Sequence, residues 1–287
     1  MRSRYLLGLS ASGFHKLHYT EWGSADNPRV LICVHGLTRN GRDFDALASA
    51  LRDEYRVVCP DLPGRGRSDW LDNMSDYGYP VYLADIAVLI GRLDIESIDW
   101  VGTSLGGLIG MLLAAQPQTP IRRMIINDIG PQIEAASIKR IQAYTGTEPT
   151  FNDLPGLERY VRTVYAPFGS LSDEQWRHLA EHSARCLLGG GYALHYDPGI
   201  AEALQKNVAS FDWWSVWDRV RCSVRVLRGR DSDLLSAETA AAMRRRGPKA
   251  DLIEFAGVGH APPLMSADQI SAVREWLLAP SAFGHFD

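Results

Sequence analysis

Ser104 sits at the centre of Gly102-Thr103-Ser104-Leu105-Gly106, a G-x-S-x-G pattern. An apolar run at residues 98–103 precedes it and a helix-like segment at 105–115 follows. A serine presented on so sharp a strand-to-helix turn stands clear of the sheet, and small flanking residues let strand and helix approach closely. The helix that follows aims its N-terminus at the hydroxyl and favours developing negative charge there. The pattern points to Ser104 as a nucleophile. A nucleophilic serine needs a base, and His260 offers one. In Gly257-Val258-Gly259-His260 a glycine-flanked loop can carry the histidine over the strand ends.

An oxyanion formed at Ser104 needs two fixed donors, for which backbone N–H groups are suited because they need no rearrangement. His35-Gly36-Leu37 closes another apolar run at residues 29–34. Leu37 N–H and Leu105 N–H are the expected oxyanion pair. His35 itself reads as structural, hydrogen-bonded beneath its loop. The other histidines (His15, His18, His178, His182, His195 and His285) have no comparable setting and are expected on the surface or in the insertion described below.

The elements that must position these groups alternate between strand and helix. Residues 4–22 read as an antiparallel hairpin. Strands are expected at 29–34, 55–59, 98–103 and 121–127, with helices at 41–52, 80–93 and 105–115 between them. The nearly continuous apolar strands are those of a parallel sheet covered on both faces. The rhythm stops at Pro131 and returns with a strand at 222–228, a helix at 237–246, a strand at 251–255 and a helix at 267–278. The expected fold is α/β: a mostly parallel eight-stranded sheet flanked by helices, with a helical cap inserted after the sixth strand. Residues 1–131 and 219–287 form the core, and 132–218 form the cap. Trp213, Trp214 and Trp217 gather near the end of that insertion and suggest a closed, mainly apolar pocket. The final segment, 281–287, reads as a loosely held tail.

These motifs, in this order, resemble the α/β-hydrolase superfamily, more closely its capped, esterase-like members. The resemblance covers nearly the whole chain. It rests on His35-Gly36-Leu37, on Asp61-Leu62-Pro63-Gly64-Arg65-Gly66-Arg67-Ser68, on the serine elbow, on Asn127-Asp128-Ile129-Gly130-Pro131 and on Gly257 to Pro263. It implies a Ser-His-acid triad, acyl transfer through an acyl-enzyme, and no cofactor. Dehalogenases and epoxide hydrolases of this fold carry Asp at the elbow, so Ser104 turns the expectation away from alkyl-ester chemistry. A carboxylic ester hydrolase is expected first. A carbon–carbon hydrolase of ring-cleavage products, or a lactonase, is the alternative; the former needs a cap cation such as Arg140, Arg159, Arg162 or Arg185 for a substrate carboxylate. A non-catalytic binding protein of the same fold is the remaining class.

The acid departs from the commonest family pattern, in which Asp stands third after the glycine of the seventh strand. Here Gly229 is followed by Arg230, Asp231 and then Ser232, with Asp233 beyond. Asp128, at the end of the sixth strand, is the alternative place for the acid in this superfamily. It is placed ahead of Asp233, with Asp231 third.

Composition bounds the rest. The chain has 287 residues, a net charge of −4, 46% hydrophobic and 22% charged residues, an ordinary balance for a globular protein. No basic face suggests nucleic acid, and no apolar run suggests a membrane span. Arg244-Arg245-Arg246 reads as a solvated helix end. Of the four cysteines, Cys33, Cys59 and Cys222 lie in strand-like runs; no metal-ligand spacing appears. The N-terminus reads as mature protein. The expected partner is a small-molecule ester, the location cytoplasmic, and the assembly a monomer or homodimer.

Overall fold

The computed structural model describes residues 1–205 and 211–280. The expected tail at 281–287 lies outside them. Eight strands build the main sheet: β1 (Arg2–Ser10), β2 (Gly13–Trp22), β3 (Val30–Val34), β4 (Arg56–Pro60), β5 (Ile98–Thr103), β6 (Ile121–Asn127), β7 (Ser223–Gly229) and β8 (Asp251–Phe255). Their spatial order is β1-β2-β4-β3-β5-β6-β7-β8. β1–β2 and β2–β4 are antiparallel pairs and the rest are parallel.

The apolar strands follow from burial on two faces. In β3, Val30, Ile32 and Val34 enter one core with helices α2 (Tyr79–Leu93) and α3 (Leu105–Ala114). Leu31 and Cys33 enter the other, with α1 (Asp45–Leu51) and the C-terminal helix α10 (Ala267–Leu278). Cys33 and Cys59 are buried here, Cys222 is half-buried and Cys186 exposed.

Between β6 and β7 the chain forms α4 (Ala135–Thr145), α5 (Leu154–Val164), α6 (Asp173–Ser183), α7 (Ile200–Gln205) and α8 (Trp214–Trp217). After β7 comes α9 (Ala237–Met243), with Arg244 at its C-terminal cap. α5 and α6 close on a small core of Leu157, Val161, Trp176, Leu179 and Ala180. Ser172 and Gln175 form a reciprocal capping box at the start of α6. Among the described residues none of the insertion's strands joins the main sheet, but short ones pair into a three-stranded and a two-stranded sheet. Pairings of two or three residues leave no readable period, which is why the sequence shows only helices here.

Two expectations are corrected. His15 and His18 are buried on β2, each against a buried carboxylate: His15 with Asp85 at 2.8 Å and His18 with Asp61 at 2.7 Å. A paired carboxylate makes such burial tolerable, and it lies far off in sequence. The tryptophans do not form one pocket wall. Trp217 is fully buried and donates from Nε1 to Arg246 O (3.0 Å), while Trp214 stacks under the Arg246 guanidinium. Trp213 meets Tyr79 edge-on. Among the described residues no helix is long and apolar enough to cross a membrane.

Candidate active site

Ser104 occupies the turn between β5 and α3 with φ 52° and ψ −114°, a backbone state that ordinary side chains avoid. The flanking glycines explain how it is held. A methyl on Gly106 would fall 2.0 Å from Val34 O, and one on Gly102 would fall 2.3 Å from the Gly106 carbonyl. Strand and helix therefore meet with no room for a side chain. The Ser104 N–H donates to Asn127 O at 3.0 Å, and Ser104 O accepts the N–H groups of Gly107 and Leu108.

His260 projects from the loop after β8. Its Nε2 lies 3.0 Å from Ser104 Oγ and its Nδ1 lies 2.8 Å from Asp128 Oδ2. A carboxylate can only accept, so Nδ1 carries the proton and Nε2 turns its lone pair to the serine hydroxyl. The loop is fastened at both sides: Gly259 N–H donates to Pro167 O of the insertion (2.6 Å), and Asn127 Nδ2 donates to Pro262 O (2.8 Å). Asn127 also donates to Thr103 Oγ1 at 3.0 Å. It thus ties β6, the elbow strand and the histidine loop together, a role that sequence reasoning missed. The available signal was a polar residue closing a buried apolar strand.

Asp128 is fully buried and holds φ 57°. The register that sets Leu227 beside Asn127 brings the end of β7 against it. Gly229 N–H then donates to Oδ1 (2.8 Å) and Ser232 Oγ donates to Oδ2 (2.5 Å). Ser232, at the commonest family position for the acid, thus holds the carboxylate of β6. The structure does not bring the other two acids to His260. Asp233 is more than half exposed and pairs with Arg140 at 2.6 Å, and Asp231 is exposed.

The loop His35-Gly36-Leu37 is set from beneath. Gly36 O accepts from His35 Nδ1 (2.6 Å) and from Arg39 N–H (3.2 Å). In a trans peptide the C=O and the next N–H point opposite ways, so fixing Gly36 O also fixes the direction of Leu37 N–H. Gly36 packs beside Ser104, with the position of a Cβ only 3.6 Å from Ser104 Cβ. His35 Nε2 accepts from Leu62 N–H at 2.9 Å. Burial pushes the His35 pKa down from 6.5 to about 4, so the ring stays neutral and can both donate and accept. Buried Arg65 donates from Nε to Leu37 O (2.8 Å), and Thr38 Oγ1 meets Tyr165 OH of the insertion at 3.1 Å. Leu105 N–H is the first of α3, where helix geometry leaves it without an intrahelical acceptor.

Of the four arginines considered for a substrate carboxylate, three already face acids. Arg140 meets Asp233, Arg162 meets Glu158 and Asp173, and Arg185 meets Glu148. Arg159 is exposed. Among the described residues, Asp45, His178 and His182 come close enough to share a metal ion. His178 and His182 are one turn apart on α6, which corrects the expectation that the chain has no metal-ligand spacing. Arg42 already grips Asp45 through Nε and Nη2.

The arrangement can pass a proton from Ser104 to His260 and hold the resulting imidazolium against Asp128, the chemistry of acyl transfer. Residues 31–273 match the model of the alpha/beta hydrolase family. The chain is 43% identical over 277 residues to a 3-hydroxybutyrate-oligomer hydrolase of Cupriavidus necator, covering 93% of this chain and 94% of that protein. It is 26% identical over 234 residues to a 2-(acetamidomethylene)succinate hydrolase of Mesorhizobium japonicum, covering 80% and 81% of the two. Among solved structures, an alpha/beta hydrolase of Novosphingobium aromaticivorans superposes with a TM-score of 0.85 at 35% identity, covering 96% and 97% of the two chains.

Proposed function

The chain belongs to the alpha/beta hydrolase family and is an esterase-type hydrolase; from that premise we propose that it works as a serine esterase through Ser104, His260 and Asp128. Ser104 Oγ attacks the ester carbonyl while His260 Nε2 takes its proton. The N–H groups of Leu37 and Leu105 hold the oxyanion, and Asp128 stabilises the imidazolium. His260 then protonates the leaving alcohol. A water molecule, deprotonated by the same histidine, releases the acyl group as a carboxylic acid. Side chains and backbone suffice for every step. The observation that carries this reading is the continuous hydrogen-bonded chain from Ser104 through His260 to Asp128.

The substrate we propose is an oligoester of 3-hydroxybutyrate type, in which the leaving group is the secondary hydroxyl of the next unit. The full-length match to a 3-hydroxybutyrate-oligomer hydrolase supports it. Residues 132–218 serve as a cap on a core of 1–131 and 219–287. Contacts from Pro167 to the His260 loop and from Tyr165 to the oxyanion loop support that role. The four free cysteines support a reducing compartment, the cytoplasm.

The test compares wild type and Ser104→Ala on 3-hydroxybutyrate dimer and trimer, and on p-nitrophenyl esters. Losing the nucleophile of such a unit costs on the order of 10⁶ in turnover. A folded wild-type protein that resists a fluorophosphonate probe at Ser104 overturns the mechanism. Turnover of simple esters without turnover of the oligomers overturns only the substrate.

A further inference from the structure

A second serine stands in the same relation to a histidine and an aspartate. Ser3 Oγ on β1 lies 2.8 Å from His18 Nε2, and His18 Nδ1 lies 2.7 Å from Asp61 Oδ2. These spacings match those at Ser104. The logic of protonation is also the same: the carboxylate requires a proton on Nδ1, which leaves Nε2 to accept from the Ser3 hydroxyl. Asp61 is buried and tightly held. Gly41 N–H donates to Oδ1 (2.7 Å) and Arg67 N–H to Oδ2 (2.9 Å), and the loop wraps so closely that a methyl on Gly66 would lie 2.4 Å from Oδ2. Burial alone would raise the Asp61 pKa, but hydrogen bonds from His18 and the Arg67 N–H work against it and the pKa is lowered. His18 is buried, whereas Ser3 is exposed. The hydroxyl opens on a crevice of about 170 Å³ lined also by Arg42, Arg67 and His195.

From this chain of contacts we propose that Ser3 is a second acyl-acceptor site, activated by His18 and Asp61 and charged by small activated esters or thioesters. Ser3 Oγ forms a bond to the acyl carbon as its proton passes to His18 Nε2. The bond from that carbon to the leaving oxygen or sulfur breaks, and the departing group takes the proton from His18. The products are an ester on Ser3 and a free alcohol or thiol. Ser3 lies within a strand and not at a helix N-terminus, so the donor that α3 supplies at Ser104 is missing. The developing charge falls to solvent, to which Ser3 is exposed. Ser3 therefore acylates and holds its acyl group, a modification site and not a second fast hydrolase. A general base contributes about 10²–10⁴ in rate, and that sets the size of the expected activation.

The experiment uses the full chain carrying Ser104→Ala, treated with p-nitrophenyl acetate and mapped by peptide mass spectrometry. The expected result is acetylation of Ser3 on the order of 10²-fold faster than of the exposed Ser170 and Ser271. Adding His18→Gln brings Ser3 down to their rate. With Ser104 intact, His18→Gln keeps its ester turnover, which checks folding. Should that variant not fold, Ser3→Cys in the Ser104→Ala chain leaves the pair in place. Its new thiol is then alkylated by iodoacetamide at least about tenfold faster than the exposed Cys186 of the same molecule. Ser3 reacting no faster than Ser170 and Ser271, or at a rate indifferent to His18, overturns the proposal. The reading of Ser104 rests on its own substitution and stands or falls separately.

Discussion

Replacing Asp128 by Asn changes chemistry while sparing the backbone, because Asn tolerates the left-handed conformation that Asp128 adopts. The carboxylate meets three donors: Gly229 N–H on one oxygen, and Ser232 Oγ–H and His260 Nδ1–H on the other. An amide has one oxygen to offer. If that oxygen stays on Gly229, the NH₂ group faces His260. The imidazole must then present a bare Nδ1 and keep its proton on Nε2, where it can no longer accept from Ser104. A comparable loss of the correct tautomer costs about 10⁴ in kcat, which is about 5.5 kcal/mol of activation free energy. If the amide turns the other way, its NH₂ opposes Gly229 N–H, and leaving that buried donor unpaired costs about 1–3 kcal/mol of stability. Steady-state kinetics on p-nitrophenyl butyrate and thermal melting separate the two outcomes. A second substitution sharpens the case. Ser232 touches the same carboxylate oxygen as His260, so Asp128→Asn with Ser232→Asp moves the negative charge across one hydrogen bond, and part of the lost rate is expected back. Asp233→Asn breaks only the exposed pair with Arg140, with turnover near wild type and a stability change under about 1 kcal/mol. Retention of more than a tenth of wild-type kcat by Asp128→Asn, with a larger loss in Asp233→Asn, refutes the reasoning.

Two further outcomes follow from the supporting structure. Gly106→Ala places a methyl 2.0 Å from Val34 O, a backbone clash with no flexible partner; loss of soluble protein, or a penalty above about 3 kcal/mol in urea melts, is expected. His35 titrates at about 4 when folded against 6.5 ordinarily, so the unfolded chain takes up the proton first as pH falls. Its contribution is therefore intact above about pH 6.5, falls between 6.5 and 4, and reaches about 3 kcal/mol lost below that; urea melts of wild type across this range should slope more steeply than those of His35→Gln.

How far the sequence reaches differs from residue to residue. Local patterns carry the sheet and the elbow. β3 reads as a two-faced strand because Val30, Leu31, Ile32 and Cys33 leave no polar side. The Ser104 turn is legible because both glycines stand where a Cβ has no room. Such features are fixed by neighbours in the chain, so a window of a few residues contains them. The partners of Asp128 are not of this kind. Asp128, Asp231 and Asp233 all lie in turns beyond adjoining strands, and each is an acceptable acid by type and position. Which of them meets His260 depends on the β6–β7 register, on the reach of the β8 loop and on Ser232 turning inward, all contacts between segments distant in sequence. The same holds for His18, which reads as an ordinary histidine on an amphipathic strand until the fold sets Asp61 and Ser3 on either side of its ring. Sequence alone thus determines the sheet order's raw material and the Ser104 turn, since local sterics and burial dictate them. Only the tertiary structure decides which acid faces which histidine, because a side-chain hydrogen bond a few ångströms long is settled by packing between strands and loops and not by the identity of either residue.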